Sequence, residues 1–272
     1  MARRRARRST EEKLSPSAIL FGIIFLGGIA AITLYVNVNR PAELDGYGCP
    51  IDESLIAENV ILLFDTTEPF IASQVREISN RISSIVRAVP VMGRISAYEI
   101  SSSENSATNV VPLNDQGAPY SCPIKGGFNV PDVMERFNER LISTISETVL
   151  DNVGQGAQPN SRIIDGLRFV AAGTIGQTYK SSIYVFSDMI EHSNVLSMYR
   201  SNWFESYQSN NAEIMSQRPI FPEGSEIQIF LVSRPKVGLD ERKIMEFWTD
   251  VLSGDGFSSF VKPYFTRISG GS

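Results

Sequence analysis

This chain is short of the side chains that most site chemistry needs. Its 272 residues contain one histidine, His192, and two cysteines, Cys49 and Cys122. Three such side chains cannot fill a structural zinc centre, which takes four Cys or His ligands. Any catalytic unit with a histidine base has to use His192. Positive charge is scarce beyond the N-terminus: residues 1–16 hold six basic and two acidic side chains, whereas the rest holds 19 basic against 28 acidic. A surface that acidic excludes a broad basic face for nucleic acid. Charge of either sign is missing from residues 17–36. Hydrophobic residues at 42% and charged residues at 20% are near globular averages, which excludes a wholly disordered chain and a multi-span membrane protein.

The uncharged stretch reads SAILFGIIFLGGIAAITLYV. Twenty uncharged residues at 1.5 Å per residue cross a hydrocarbon core of about 30 Å. A cleaved signal peptide is the competing reading, but its apolar region is shorter, about 7–15 residues. Five arginines between 3 and 8 precede the stretch, so the positive-inside rule places residues 1–16 in the cytoplasm and sends 37–272 across the membrane. The expectation is a single-pass inner-membrane protein contacting the lipid bilayer through 17–36. No carboxylate lies in the span, which argues against a proton-carrying role for it.

Beyond the span, 37–58 reads as a linker and cap, and 59–268 as one domain. Apolar runs at 59–64, 94–100, 182–187 and 226–232 predict strands, the first two separated by an amphipathic helix over 71–89. Further helices are expected at 131–150, 161–172 with Ser161 as N-cap, within 194–217 and at 239–252. The Ser-, Asn-, Pro- and Gly-rich segment 101–127 reads as a long loop. Strands alternating with helices predict an α/β fold, a doubly wound and mostly parallel sheet covered on both faces.

In such sheets ligands bind at the carboxyl ends of the strands. Two predicted strands deliver an aspartate there, Asp65 in ILLFDTTEPF and Asp188 in IYVFSDMIEHS. Paired carboxylates suit a hard cation that prefers oxygen. Thr67 adds a hydroxyl after the first strand, and Ser161 adds another at a helix start. The competing reading makes these residues simple caps and strand ends.

Asp65-x-Thr67 after an apolar strand, Ser161 heading a helix and Asp188 in a VFSD strand end resemble the von Willebrand factor A-like fold. In that family such residues hold Mg²⁺ or a similar ion, whose open position takes a carboxylate from a partner protein. The resemblance implies a metal site of Asp65, Thr67, Ser161 and Asp188. Pro69 stands where the family's motif has its second serine, which removes one ligand. The phrases CPIDES, NVILLFDTTEPF, YSCPIKGG, SRIIDGLRFVA, YVFSDMIEHSNVLSMY and KIMEFWTDVLSGDGF are similar to a bacterial group of membrane-anchored von Willebrand A-like proteins with a degenerate adhesion motif. The function this implies is a non-enzymatic interaction module of a membrane-associated assembly, with other membrane or periplasmic proteins as partners. The alternative is a metal-dependent hydrolase or phosphatase. Haloacid dehalogenase-type phosphatases also begin with an apolar strand and Asp, and Ser187 would be their later hydroxyl, but Thr67 replaces their second Asp. A Ser-His hydrolase would have to pair Ser187 with His192, and no Gly-x-Ser-x-Gly elbow is present.

Cys49 and Cys122 both stand in a Cys-Pro-Ile context. In an oxidising compartment two cysteines pair, and a disulfide closing about 73 residues would constrain the unfolded chain by about 4 kcal/mol. Two buried free thiols are the alternative.

Overall fold

The computed structural model describes residues 16–38, 43, 50–90, 92–100, 110–112, 120–121, 159–177, 179–234, 237–253 and 261–269, with seven positions between 135 and 147. It comprises two units, Met1–Ala42 and Glu43–Ser272.

In the first unit, α1 (Pro16–Val38) is a 23-residue helix without a charged residue. At 1.5 Å per residue it is about 35 Å long. Every described side chain on it, over 20–36, is exposed. Thr33 donates its hydroxyl to the Ile29 carbonyl at 2.8 Å, so even this polar group is satisfied within the helix. Over the described side chains alone, no helix reaches the length and apolarity of a membrane span. In α1 those side chains stop short of both helix ends.

The second unit is the α/β domain. After a short 3₁₀ turn (Glu53–Leu55), the run ENVILLFD forms β1 (Glu58–Asp65), buried along nearly its whole length as a central parallel strand requires. α2 (Ala72–Ala88) follows, with Val75, Ile78, Ile82 and Val86 buried on one face. Its start is capped from one side: Gln74 Oε1 accepts the Ile71 N–H at 3.1 Å, while the Ile71 side chain has no acceptor to return. β2 (Arg94–Ile100) completes the first crossover. Then come β3 (Val110–Pro112), β4 (Tyr120–Ser121), α3 (Ile163–Thr174) and β5 (Lys180–Ser187). They are followed by α4 (Trp203–Ser209), α5 (Ala212–Ser216), β6 (Glu226–Val232), α6 (Glu241–Ser253) and β7 (Tyr264–Ile268).

The sheet runs β3-β2-β1-β5-β6-β7, with β4 also pairing β2. β2, β1, β5, β6 and β7 are parallel, while β3 and β4 lie antiparallel on the outer edge of β2. This is the doubly wound α/β arrangement expected from the sequence. The chain starts at β1 in mid-sheet, builds outward to β2, then crosses to β5. The sheet therefore reverses direction of growth between β1 and β5, which is where such folds open a crevice at the carboxyl edge.

Side chains alternate between two cores. Ile61, Leu63, Ile183, Val185, Ile227, Ile229 and Leu231 face α3, α4 and α6. Val60, Leu62, Phe64, Phe186, Phe230 and Val232 face α2. On that second face Phe64, Phe186 and Phe230 stack across three strands, with ring centroids 5.0 and 4.7 Å apart.

Three expectations are corrected. Segment 101–127 is not loop throughout, because 110–112 and 120–121 extend the sheet edge. Segment 194–217 holds two short helices, since Asn210 and Asn211 interrupt the run. β7 was not expected as a strand, because YFTRI is a half-exposed edge strand without a continuous apolar run. Cys49 and Cys122 lie outside the described residues.

Candidate functional site

The site is built by register. Phe64 of β1 pairs with Phe186 of β5, so the next residues, Asp65 and Ser187, come side by side at the carboxyl edge. Ser187 Oγ donates to Asp65 Oδ2 at 2.7 Å. The chain then turns, and Asp65 Oδ1 accepts both the Thr67 N–H at 3.1 Å and the Thr67 hydroxyl at 2.5 Å. This Asx-type turn is what Asp followed by Thr supplies at a strand end. Ser161 Oγ reaches Asp65 Oδ2 at 3.4 Å, a long and weaker contact. Asp65, Thr67, Ser161 and Ser187 are all buried, so this is a closed network rather than an open row of ligands.

Ser161 is not the N-cap of α3, as expected from the sequence. The helix begins two residues later and makes no side-chain cap bond at its own N-cap. Ser161 instead sits in a two-bond bridge with His192, N–H to carbonyl in both directions at 3.0 and 2.8 Å. The cap comes from a distant loop: Glu191 Oε2 accepts the Ile164 N–H at 3.0 Å. Placing a carboxylate at a helix start satisfies a free N–H and meets the positive end of the helix dipole. Yet Glu191 is 1% exposed and its other oxygen has no hydrogen-bond partner among the described residues. Burial pushes its carboxyl up to about 8.

Asp188 reaches the same edge with its carboxylate turned the other way. Its Oδ1 accepts the Ile190 N–H at 3.0 Å and its Oδ2 accepts Arg234 Nε at 3.1 Å. Burial, then the neighbouring Asp65 carboxylate, raise the Asp188 carboxyl well above the usual range, and Arg234 opposes them. The turn just after this carboxylate is strained. Met189 has φ of 59°, a left-handed backbone rare for a long side chain. Its N–H donates to Ser187 Oγ at 2.7 Å and its carbonyl accepts Trp248 Nε1 at 2.8 Å. Both bonds oppose relaxation of a conformation costing about 1–3 kcal/mol.

The expected residues Asp65, Thr67 and Ser161 are thus brought together, with Asp188 beside them on a separate set of bonds. Sequence reasoning missed Glu191 and Arg234, and saw Ser187 only as an enzyme residue. The available signal for Arg234 was an arginine two residues after an apolar strand, at the same edge as the two aspartates.

The arrangement does not pair Ser187 with His192. Ser187 donates to Asp65, and His192 Nδ1 lies 2.9 Å from Ser197 Oγ. As for a metal, no group of three or more His, Cys, Asp or Glu side chains converges among the described residues. Each carboxylate oxygen of Asp65 and Asp188 already accepts a hydrogen bond from the protein. Pro69 offers a carbonyl but no hydroxyl, and that carbonyl is taken by Arg234. A divalent ion at this edge would share the carboxylate lone pairs with these donors.

No family model matches this chain and no curated protein matches it. Among solved structures it is similar to an aerotolerance-related membrane protein from Bacteroides fragilis, at 13% identity over 64% of this chain and 67% of that one, TM-score 0.33. It is also similar to BatB from Bacteroides thetaiotaomicron, at 12% identity over 66% and 69%, TM-score 0.34. A third similarity is to the SpRpn10 VWA domain, at 10% identity over 79% and 90%, TM-score 0.34. The fold itself rests on the strand order and register given above.

Proposed function

We propose that this chain is a single-pass, membrane-anchored interaction module, with residues 1–16 in the cytoplasm and the α/β domain in the periplasm. Its task is to hold partner proteins of one membrane assembly, not to turn over a substrate. The observation that carries the reading is α1: an uncharged helix of 23 residues, apolar side chains outward, joined to a separately packed α/β domain. A water-facing helix of that composition has no stabilising environment, whereas a bilayer supplies one. The carboxyl edge of the domain supports the interaction half of the reading. Its two aspartates are bonded within the domain, and its rim exposes Ile71 and Tyr199, at 53% and 46%. The partners are other membrane or periplasmic proteins.

A reporter fused after Ser272 tests the topology. Alkaline phosphatase, which needs the periplasm, is expected to be active there, and a cytoplasm-requiring reporter silent. The reverse result would overturn anchoring orientation and compartment together. In vivo crosslinking of the full chain, set beside turnover of generic phosphate and ester substrates, tests the module reading. Defined membrane-protein adducts without turnover are expected, and turnover abolished by Asp65→Ala would replace the module with an enzyme.

The same compartment implies a Cys49–Cys122 disulfide. Mass spectrometry of non-reduced protein from the membrane fraction is expected to find that linked peptide pair. Two thiols open to alkylation in the folded protein would count against it.

A further inference from the structure

We infer that Arg234 is the resident cation of the sheet edge and stands in for a divalent ion, so that the edge holds its geometry without metal. This goes beyond the module reading and does not depend on it. Asp65 and Asp188 are both almost fully buried at one edge, 3% and 5% exposed. Two carboxylates so placed repel, and each loses its hydration, so a nearby cation stabilises their ionised forms. Arg234 supplies it from two residues beyond β6. Its Nε donates to Asp188 Oδ2 at 3.1 Å, its Nη1 to the Pro69 carbonyl at 2.6 Å and its Nη2 to the Glu68 carbonyl at 3.2 Å. A carboxylate and two carbonyls are the hard oxygen donors a Mg²⁺ or Mn²⁺ ion would take. Here the guanidinium fork takes them, and its planar N–H pattern fits several acceptors at once.

The surroundings hold the fork in place. The Phe70 ring lies 5.8 Å from the guanidinium carbon, and Gln74 of α2 donates to the carbonyl of Ser233 at 3.0 Å. The turn 66–70 thus touches the guanidinium, and α2 anchors the residue before it. Pro69, which has no hydroxyl to offer a metal, contributes the carbonyl with the shortest of these bonds.

Two consequences separate this from a resident metal. The native edge takes no divalent ion, and loss of the guanidinium frees Asp188 Oδ2 and the Pro69 and Glu68 carbonyls as an oxygen set beside Asp65. The test is a Mn²⁺ titration, followed by electron paramagnetic resonance and by thermal unfolding, on the full chain in detergent. Wild type, Arg234→Ala and Arg234→Gln are compared. Wild type is expected to bind no Mn²⁺ up to millimolar concentration, with an unchanged Tm. The variants are expected to unfold at lower temperature without metal, and to gain one Mn²⁺ site. At tenfold excess over Kd that site should restore about 3–6 °C. Stoichiometric Mn²⁺ on wild type, lost in Asp65→Asn, would overturn the inference, and this arm stands even if neither variant folds. Folded variants that gain no Mn²⁺ site would overturn it as well.

Discussion

Phe186→Ala should lower the stability of the α/β domain by about 3–5 kcal/mol, the range for emptying a well-packed aromatic site. Phe186 is 0% exposed and lies between Phe64 and Phe230 in the cross-strand stack. Its removal would open a cavity and sever both ring contacts, each worth about 0.5–1.5 kcal/mol beyond area. The consequence reaches the site. Phe186 precedes Ser187, and its pairing with Phe64 fixes the register that sets Ser187 beside Asp65. Denaturant unfolding of the full chain in detergent, read by fluorescence of the buried Trp203 and Trp248, measures the loss. Ile220→Ala, at a 62% exposed position, is the control and should change stability by no more than about 0.5 kcal/mol. A cost for Phe186→Ala equal to the control's would mean the stack is not the core of this face.

Glu191→Gln should stabilise the protein at pH 9 and leave it nearly unchanged at pH 4. The folded-state carboxyl of Glu191 is raised by burial to about 8, above its ordinary value near 4.3. The folded state therefore holds more protons than the unfolded state between those limits, so stability falls as pH rises through that window and is flat above it. Below the ordinary value both states are protonated and the carboxylate imposes no cost. Glutamine keeps an acceptor for the Ile164 N–H without the charge. The expected gain at pH 9 is on the order of 2–3 kcal/mol, below the full value of the shift because the new amide N–H groups need partners. Asp188 is shifted in the same direction, so the variant keeps a residual slope. Unfolding midpoints at pH 4, 7 and 9 decide the matter: parallel profiles for wild type and variant would remove Glu191 as a source of pH dependence.

Local composition and periodicity were enough to place most of the central elements. The run NVILLF is long, branched and flanked by polar residues, so it reads as a buried strand whatever surrounds it, and it lies inside β1. Val75, Ile78, Ile82 and Val86 repeat at helical spacing and are the buried face of α2. Asp65 and Asp188 were legible as site residues because each closes such a strand, and parallel strands bring their carboxyl ends to one edge. Edge elements were not legible. β3 and β4 are three and two residues long, and β7 is half exposed, so none carries a periodic signal of its own. They are strands only because β2 and β6 offer them unpaired backbone groups.

What the sequence alone determined is the list of candidate groups: two strand-end aspartates, nearby hydroxyls, a proline in the turn and an uncharged apolar helix ahead of the domain. What only the tertiary structure decided is how those groups are bonded. Ser161 leaves the helix-cap role because the bridge to His192 claims its backbone, and Glu191, 27 residues away from Ile164, caps α3 instead. Arg234 meets Asp188 across 46 residues of sequence. A hydrogen bond between residues so far apart is fixed by sheet register and packing, and no local pattern encodes either. That is why the cation at this edge is an arginine by tertiary placement, although the strand ends by themselves read as ligands for a metal.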